Sequence, residues 1–369
     1  MKLAINLLLS ATMLALCAWL VWPNADARHE LAGVIAALRF RDLAPYLAAY
    51  VGLLVVVQLC RSLRWNNLLA PLGVKIPTGP LLAISAVGFM AILALPARLG
   101  EFVRPGLLRK RGDLSAAAAL GTVAVERIVD GLLVSLFVFG ALFARRGPGA
   151  PHWMMPMAYG ALGLFSAALV FLVFAVRRPE ATVRFCLGLT LLPRLAPRVA
   201  RVIESKLLEM IRGLIVIRDP RNMGLFLVWS AVYWAANGLG VYILARAFHL
   251  DLSLVGSFAT MGVCAVGIML PNPPGLVGLF QAATLLGLSV YLGPGVGPRA
   301  ADTHSALYIQ AFAFANLHYL MQLVWYVTCG AIGLASPWVS LHDLVTARSS
   351  SKLAPAPAPG DDPAHATRS

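Results

Sequence analysis

Charge is what this sequence has least of. Only 12% of its 369 residues are charged, against about 25% in ordinary globular chains, while 59% are hydrophobic and the mean hydropathy is +0.78. So little polar surface excludes a soluble domain. The alternating segments of about ten residues that build a membrane barrel are missing too. Cysteine is sparse and scattered: Cys17, Cys60, Cys186, Cys264 and Cys329 show neither paired nor metal-ligand spacing, so they read as small apolar fillers. No P-loop, nucleophile elbow or zinc-protease motif occurs. His318 is the one histidine well inside an apolar run, which leaves haem without a second ligand. The expectation is therefore no catalytic residue, no metal, no cofactor and no enzymatic activity.

What the chain has is apolar runs near the ~20 residues that a helix needs to cross a ~30 Å hydrocarbon layer. This predicts an all-α polytopic integral membrane protein with about seven to nine hydrophobic segments. The first run, Leu3 to Trp22, ends before Ala25-Asp26-Ala27, which resembles a signal-peptidase site. A retained anchor and a cleaved signal are the two readings. The second run, about Leu43 to Leu59, ends at Arg61-Ser62-Leu63-Arg64-Trp65, which reads as an interfacial belt of cations and an aromatic. Further spans are expected at Leu114 to Phe143, His152 to Val176, Met223 to Ala245 and His304 to Leu334.

Net charge is +14, from 30 Lys+Arg against 16 Asp+Glu, and the cations cluster in connections between apolar runs. That pattern points to an anionic leaflet as partner rather than nucleic acid. The most basic stretch, 177–221, holds ten Lys/Arg against four acids and carries Val199, Val202, Ile203, Leu207, Met210 and Ile211 at helical spacing. It predicts an amphipathic helix on the cytoplasmic membrane surface. Domain limits follow: a membrane domain over 1–335 and a disordered Ala/Pro/Ser-rich tail over 336–369, with both termini cytoplasmic.

Two apolar runs are interrupted. Leu81 to Pro96 cannot cross fully without placing Arg98, Arg104, Arg109, Lys110 and Arg111 outside, so a re-entrant hairpin is expected. A second break separates Val255 to Leu270 from Leu276 to Leu292. The breaks share Leu-Pro, three residues, Gly: Leu95, Pro96 and Gly100, then Leu270, Pro271, Asn272, Pro273, Pro274 and Gly275. Paired broken helices point to an inverted repeat with a site between its halves; coincidence among Gly/Pro-rich segments is the other reading. Proline and glycine loosen helical hydrogen bonds there, freeing backbone dipoles for a ligand.

Charges within such segments are expensive, at least ~2.5–3.5 kcal/mol each on insertion scales, so they need partners. Arg98, Glu101 and Arg104 lie in the first hairpin, and Glu126, Arg127 and Asp130 lie inside the next long helix. Spacing pairs Glu126 with Arg98 or Arg104. Arg61 and Arg64 lack nearby acids in sequence, leaving surplus cations for a lipid phosphate. A purely structural ion-pair staple is the alternative. Trp229, Tyr233 and Asn237, and His318 and Gln322 with Asn316 nearby, follow helical spacing suited to interhelical hydrogen bonds.

The ordered set Arg98-x-Gly100-Glu101-x-x-Arg104, Glu126-Arg127-x-x-Asp130-Gly131 and the Pro271 to Gly278 break resembles the lysylphosphatidylglycerol synthase transmembrane-region family, also called flippase-like domain proteins. The resemblance covers roughly residues 1 to 340 and reads as a stand-alone member without the synthase domain. It implies movement of aminoacylated phospholipids between leaflets. Many members carry Glu a few residues after the proline break, where this chain has Gln281. Three readings follow. The first is a bacterial inner-membrane translocase for an anionic or aminoacylated phospholipid or glycolipid, the second a lipid-modifying transferase within the membrane, and the third a scaffold for envelope-lipid synthesis. A homo-oligomer or an envelope-lipid synthesis partner accompanies them as an expectation.

Overall fold

A computed structural model describes residues 40–95, 100–108, 114–144, 152, 154–190, 192–269 and 274–339. The expected first span and its signal-site alternative, Pro96, Arg98, Pro271, Asn272, Pro273 and the tail beyond residue 339 lie outside them, as does the side chain of Pro274. Every regular element among the described residues is helical. Five stretches are long and apolar enough to cross a membrane: α1 (Phe40–Leu69) with the 3₁₀ turn after it, α4 (Ala116–Ala144), α5 (Met154–Arg177), α9 (Pro220–Ala247) and α12 (Ala306–Ala335). This is a multi-pass membrane protein. α2 (Thr78–Ala94), α10 (Leu254–Met269) and α11 (Leu279–Leu292) are apolar but have 17, 16 and 14 residues. At 1.5 Å per residue these fall short of a ~30 Å crossing. Each is one limb of a broken segment.

The helices leave apolar side chains outside. Leu164, Val170 and Phe174 on α5, and Leu320, Val324 and Val327 on α12, are exposed, a stripe that hydrocarbon solvates and water would not. Inside are two apolar cores. One gathers Tyr50 and Leu54 of α1, Val134 and Leu142 of α4, Trp234 and Leu244 of α9, and residues of α10, α11 and α12. The other gathers Trp65 and Leu68 of α1, Ile84 and Val87 of α2, Val125 and Val129 of α4, and Phe226 of α9. α1, α4, α5 and α9 contribute to both cores, and on three of them a polar residue sits at the seam: Arg64 on α1, Asp130 on α4 and Ser230 on α9.

The expected end of the second span at Leu59 is a correction. α1 runs on to Leu69 and buries Arg64 and Trp65 almost completely. A hydropathy reading stops at the first cations, but here carboxylates from another helix take up the charge of Arg64, and Arg61 stacks on Phe89.

The first hairpin depends on two missing side chains. Gly100 lies against the backbone of Ala91 and Ile92, so close that any Cβ would collide with it. The chain thus turns back onto α2 before α3 (Val103–Leu108) packs against α2 and α4. Likewise, Gly88 on α2 leaves room for the Arg104 side chain to cross it. The second break has a different build. α10 and α11 pack on each other, and the turn between them puts Gly275, Leu276 and Gly278 in the left-handed region, with φ of 76°, 60° and 79°. The second limbs also differ in length, 6 residues in α3 and 14 in α11.

Within the basic connection, α6 (Pro179–Gly188), α7 (Leu192–Leu195) and α8 (Pro197–Arg212) follow one another, and α8 packs against α4. Asp219 caps α9: its Oδ1 accepts from the Asn222 backbone N–H and its Oδ2 from the Asn222 side-chain amide. These bonds hold the Asp219 carboxyl below the usual carboxylate range.

Candidate functional site

The seam between the two cores is a buried network of charges. Arg64 reaches it from α1 and meets Asp130 end-on, Nη1 to Oδ1 and Nη2 to Oδ2, both at 2.7 Å. The same Nη2 donates to Glu126 Oε1 at 2.9 Å, and Nη1 donates to Ser230 Oγ at 3.1 Å. Asp130 and Glu126 are one helical turn apart on α4, so a single guanidinium spans both carboxylates. On its other side Glu126 Oε2 accepts from Arg104 Nη1 at 3.1 Å, and Oε1 accepts from Arg127 Nη2 at 3.2 Å. Arg127 also comes within 4.0 Å of Glu101. Trp234 Nε1 completes Asp130 by donating to Oδ1 at 3.0 Å.

Such pairing is what lets the charges stay. Removing one partner of a buried pair costs about 3–5 kcal/mol, because the survivor is left desolvated and unpaired. Aromatic rings add to it: the Arg64 guanidinium lies 4.7 Å from the Tyr233 ring centre, and that of Arg104 lies 4.3 Å from Trp65. Trp65 is itself tied to α4 by a bond from Nε1 to Thr122 Oγ1 of 3.0 Å.

Of the residues expected from sequence, Arg64, Arg104, Glu126, Arg127 and Asp130 meet here, with Glu101 at the edge. One part of that expectation is corrected. Arg64 was expected to lack nearby acids, yet it is the most heavily paired cation of the group, because α1 packs beside α4 across more than sixty positions of sequence. Arg61 behaves differently. It stacks on Phe89 and donates Nη1 to Tyr326 OH at 3.2 Å, with no carboxylate partner among the described residues.

Beside the network lies a cavity of about 100 Å³, room for roughly three water molecules. Tyr233, Trp234 and Tyr326 form its wall toward the charges, Leu93 comes from the end of α2, and Ile268, Leu276 and Phe280 come from the second broken segment. Both interrupted segments therefore contribute to one cavity. His318 and Gln322 close it from α12, and Gln322 Nε2 donates to Tyr50 OH at 2.9 Å. Asn237 and Asn316, expected to bond between helices, instead donate to Tyr233 O and Phe312 O one turn back on their own helices.

The second break is held by side chains. Tyr319 OH donates to Gly275 O at 2.8 Å, and the Gly278 N–H donates to Gln281 Oε1 at 2.9 Å. Gln281 thus closes the start of α11, a task that needs only an acceptor oxygen and that Glu would also perform. Among the described residues no group of three His, Cys, Asp or Glu side chains could hold a metal, and Cys60, Cys186, Cys264 and Cys329 are free thiols.

Ser230, Trp234, Phe89, Gly88 and Tyr326 escaped the sequence reading. Ser230 and Trp234 are one turn apart and flank the flagged Tyr233, so a polar stripe along α9 was the available signal. Nothing in the sequence marks Phe89 or Tyr326 among so many aromatics.

The family model described as Lysylphosphatidylglycerol synthase TM region matches residues 3–317. Glycosyltransferase AglD of Haloferax volcanii is 25% identical over 307 residues, 75% of this chain and 47% of that protein. UPF0104 membrane protein MJ1078 of Methanocaldococcus jannaschii is 22% identical over 184 residues, 49% of this chain and 72% of that protein. The match with the first of these spans about half of its length. No solved structure matches. The expectation that the chain is not an enzyme is overturned by these comparisons, since a relative aligned over three quarters of the chain is named a glycosyltransferase.

Proposed function

The chain belongs to the Lysylphosphatidylglycerol synthase TM region family, and from that premise we propose that it is a translocase-like protein that binds the polar headgroup of an anionic or aminoacylated lipid and carries it between leaflets. One observation carries the reading: a network of paired charges inside the membrane-spanning bundle adjoins a cavity walled by both broken helical segments. Ionisable groups in that position mark pathways for polar cargo, and broken helices at membrane depth expose backbone dipoles to it. Transfer consists of opening this cavity to each leaflet in turn, with Tyr319 on Gly275 as a contact that the moving segment must keep or break.

The host membrane is proposed to be a bacterial inner membrane with both termini cytoplasmic, since that orientation keeps the basic 177–221 connection on the anionic leaflet. Exposed Phe185, Leu189, Leu195, Val199 and Val202 suit a helical layer pressed into that surface.

Proteoliposomes with fluorescent phosphatidylglycerol or lysylated phosphatidylglycerol in one leaflet test this. Wild-type protein accelerates loss of leaflet asymmetry, and Glu126→Gln reduces the rate at least tenfold in protein that still inserts. Equal rates with and without protein would remove the reading.

The name of the Haloferax relative favours a second reading, a lipid-linked glycosyl transfer in which this unit holds the lipid. Incubating the purified chain with a nucleotide sugar and polyprenyl phosphate decides it: a glycosylated lipid product supports transfer chemistry, and its absence leaves lipid handling alone.

A further inference from the structure

Arg61 and Arg104 come from separate segments, α1 and the short helix α3, yet both converge on the ring of Phe89 on α2. Their guanidinium carbons lie 3.1 Å and 4.7 Å from its centre, so they can be no further apart than the sum of those distances. Both are buried, with 7% and 1% exposure. Each uses Nη1 within the protein, Arg61 on Tyr326 OH and Arg104 on Glu126. On each, the same two nitrogens, Nε and Nη2, are buried with no hydrogen-bond partner among the described residues. Those atoms form one edge of the guanidinium, the side-on fork that takes two oxygens of a phosphate or carboxylate. Arg64 offers no such edge: its Nη1 and Nη2 are spent on Asp130, Glu126 and Ser230.

Charge agrees with geometry. Among the described residues Arg61, Arg64, Arg104 and Arg127 face Glu101, Glu126 and Asp130, one positive charge in excess. Two close cations away from water, with unused donors, require an anion. A tetrahedral group with a single negative charge and several acceptor oxygens satisfies both forks and leaves the network neutral. Tyr326 links this place to the cavity, since it lines the cavity wall and accepts from Arg61.

We propose that Arg61 and Arg104, set about Phe89, are a seat for one phosphate group, held side-on by the Nε and Nη2 edges. The phosphate belongs to a lipid phosphodiester or is inorganic phosphate. The seat rests on the preceding reading only in expecting the lipid source; the donors stand independently of any transfer between leaflets. Arg64 is the structural cation and Arg61 the ligand-binding one, a distinction that their shared neighbourhood in sequence does not draw.

The test uses the full chain in a non-ionic detergent with three probes: dihexanoylphosphatidylglycerol, the phosphate-free dihexanoylglycerol, and inorganic phosphate. Binding is read by calorimetric titration and by the rise in melting temperature. Wild-type protein binds dihexanoylphosphatidylglycerol at least tenfold more tightly than dihexanoylglycerol. Arg61→Gln, and Arg104→Lys, which keeps a cation beside Glu126, each weaken that binding at least tenfold. Arg61→Gln melts without ligand at or above the wild-type temperature, because it removes an uncompensated charge. Inorganic phosphate that binds as tightly as the lipid, with the same dependence on Arg61, supports the seat and names the free ion as its source. Unchanged affinity in both variants overturns the seat, and so does failure of Arg61→Gln to fold, which would make Arg61 a structural residue. Because binding in detergent involves no movement between leaflets, a chain that binds but does not transfer sinks only the translocase reading. One that transfers without needing Arg61 sinks only the seat.

Discussion

Arg64 and Asp130 face each other end to end, with two parallel N–H···O bonds of equal length, 2.7 Å, joining the last turns of α1 to the middle of α4 at the seam between the two apolar cores. A bidentate pair of this kind fixes rotation as well as distance. It sets the register of two spanning helices against a third, α9, which adds Ser230 and Trp234 to the same pair.

Because either substitution breaks a buried ion pair and leaves unbalanced charge in the network, Arg64→Ala and Asp130→Ala should each destabilise the protein by about 3–5 kcal/mol. The double variant should lose clearly less than the two single losses combined. Unfolding in mixed micelles with increasing sodium dodecyl sulfate measures all three. Strict additivity would contradict a direct pair.

Gly88 is the gap through which the Arg104 side chain passes across α2. Gly88→Ala, mild in an ordinary helix, should displace Arg104, leave Glu126 with one fewer donor and destabilise the fold by about 1–3 kcal/mol. Gly52 on α1, where an added Cβ meets nothing, is the control: Gly52→Ala should leave stability unchanged or slightly raised. Comparing the two melting temperatures in one detergent is sufficient.

At the second break, Gln281→Glu should preserve the bond to the Gly278 N–H, while Gln281→Ala should cost about 1 kcal/mol. Hydrogen exchange of the first amides of α11 reads this locally. Faster exchange in the Glu variant than in the Ala variant would refute the acceptor role.

Asp219 carries a pH signature. Hydrogen bonds from Asn222 hold its folded pKa below the unfolded value. Its contribution to the start of α9 is therefore present above the unfolded value of about 4 and is lost as pH falls through the lower folded one. Amide exchange at Asn222, corrected for its intrinsic pH dependence, should stay protected at pH 5 and loosen only below that range, and Asp219→Ala should abolish that protection at every pH, whereas the Met223 amide, which donates to the Asp219 backbone carbonyl, serves as the control.

Much of the fold was open to reading without coordinates. A run of apolar residues long enough to cross a bilayer is a local property, so the long helices near 116–144, 154–177, 220–247 and 306–335 follow from composition and length. The two interruptions also show in their prolines and glycines. Glu126 and Asp130 were equally legible, because an ionisable side chain inside an apolar run is conspicuous wherever it lands, whereas the buried Arg61 and Arg64 read as an interfacial belt beyond the end of theirs.

What the sequence by itself determined is thus the class of protein, the positions of its helices and breaks, and the identity of the residues that need partners. Only the tertiary structure decided who the partners are. Arg64 finds acids 62 and 66 positions away, and Trp234 reaches Asp130 across 104. The physical reason is that hydrophobicity is summed along the chain and announces itself locally, whereas a guanidinium's fate depends on which atoms stand within 3 Å of it, and that is set by how distant helices pack.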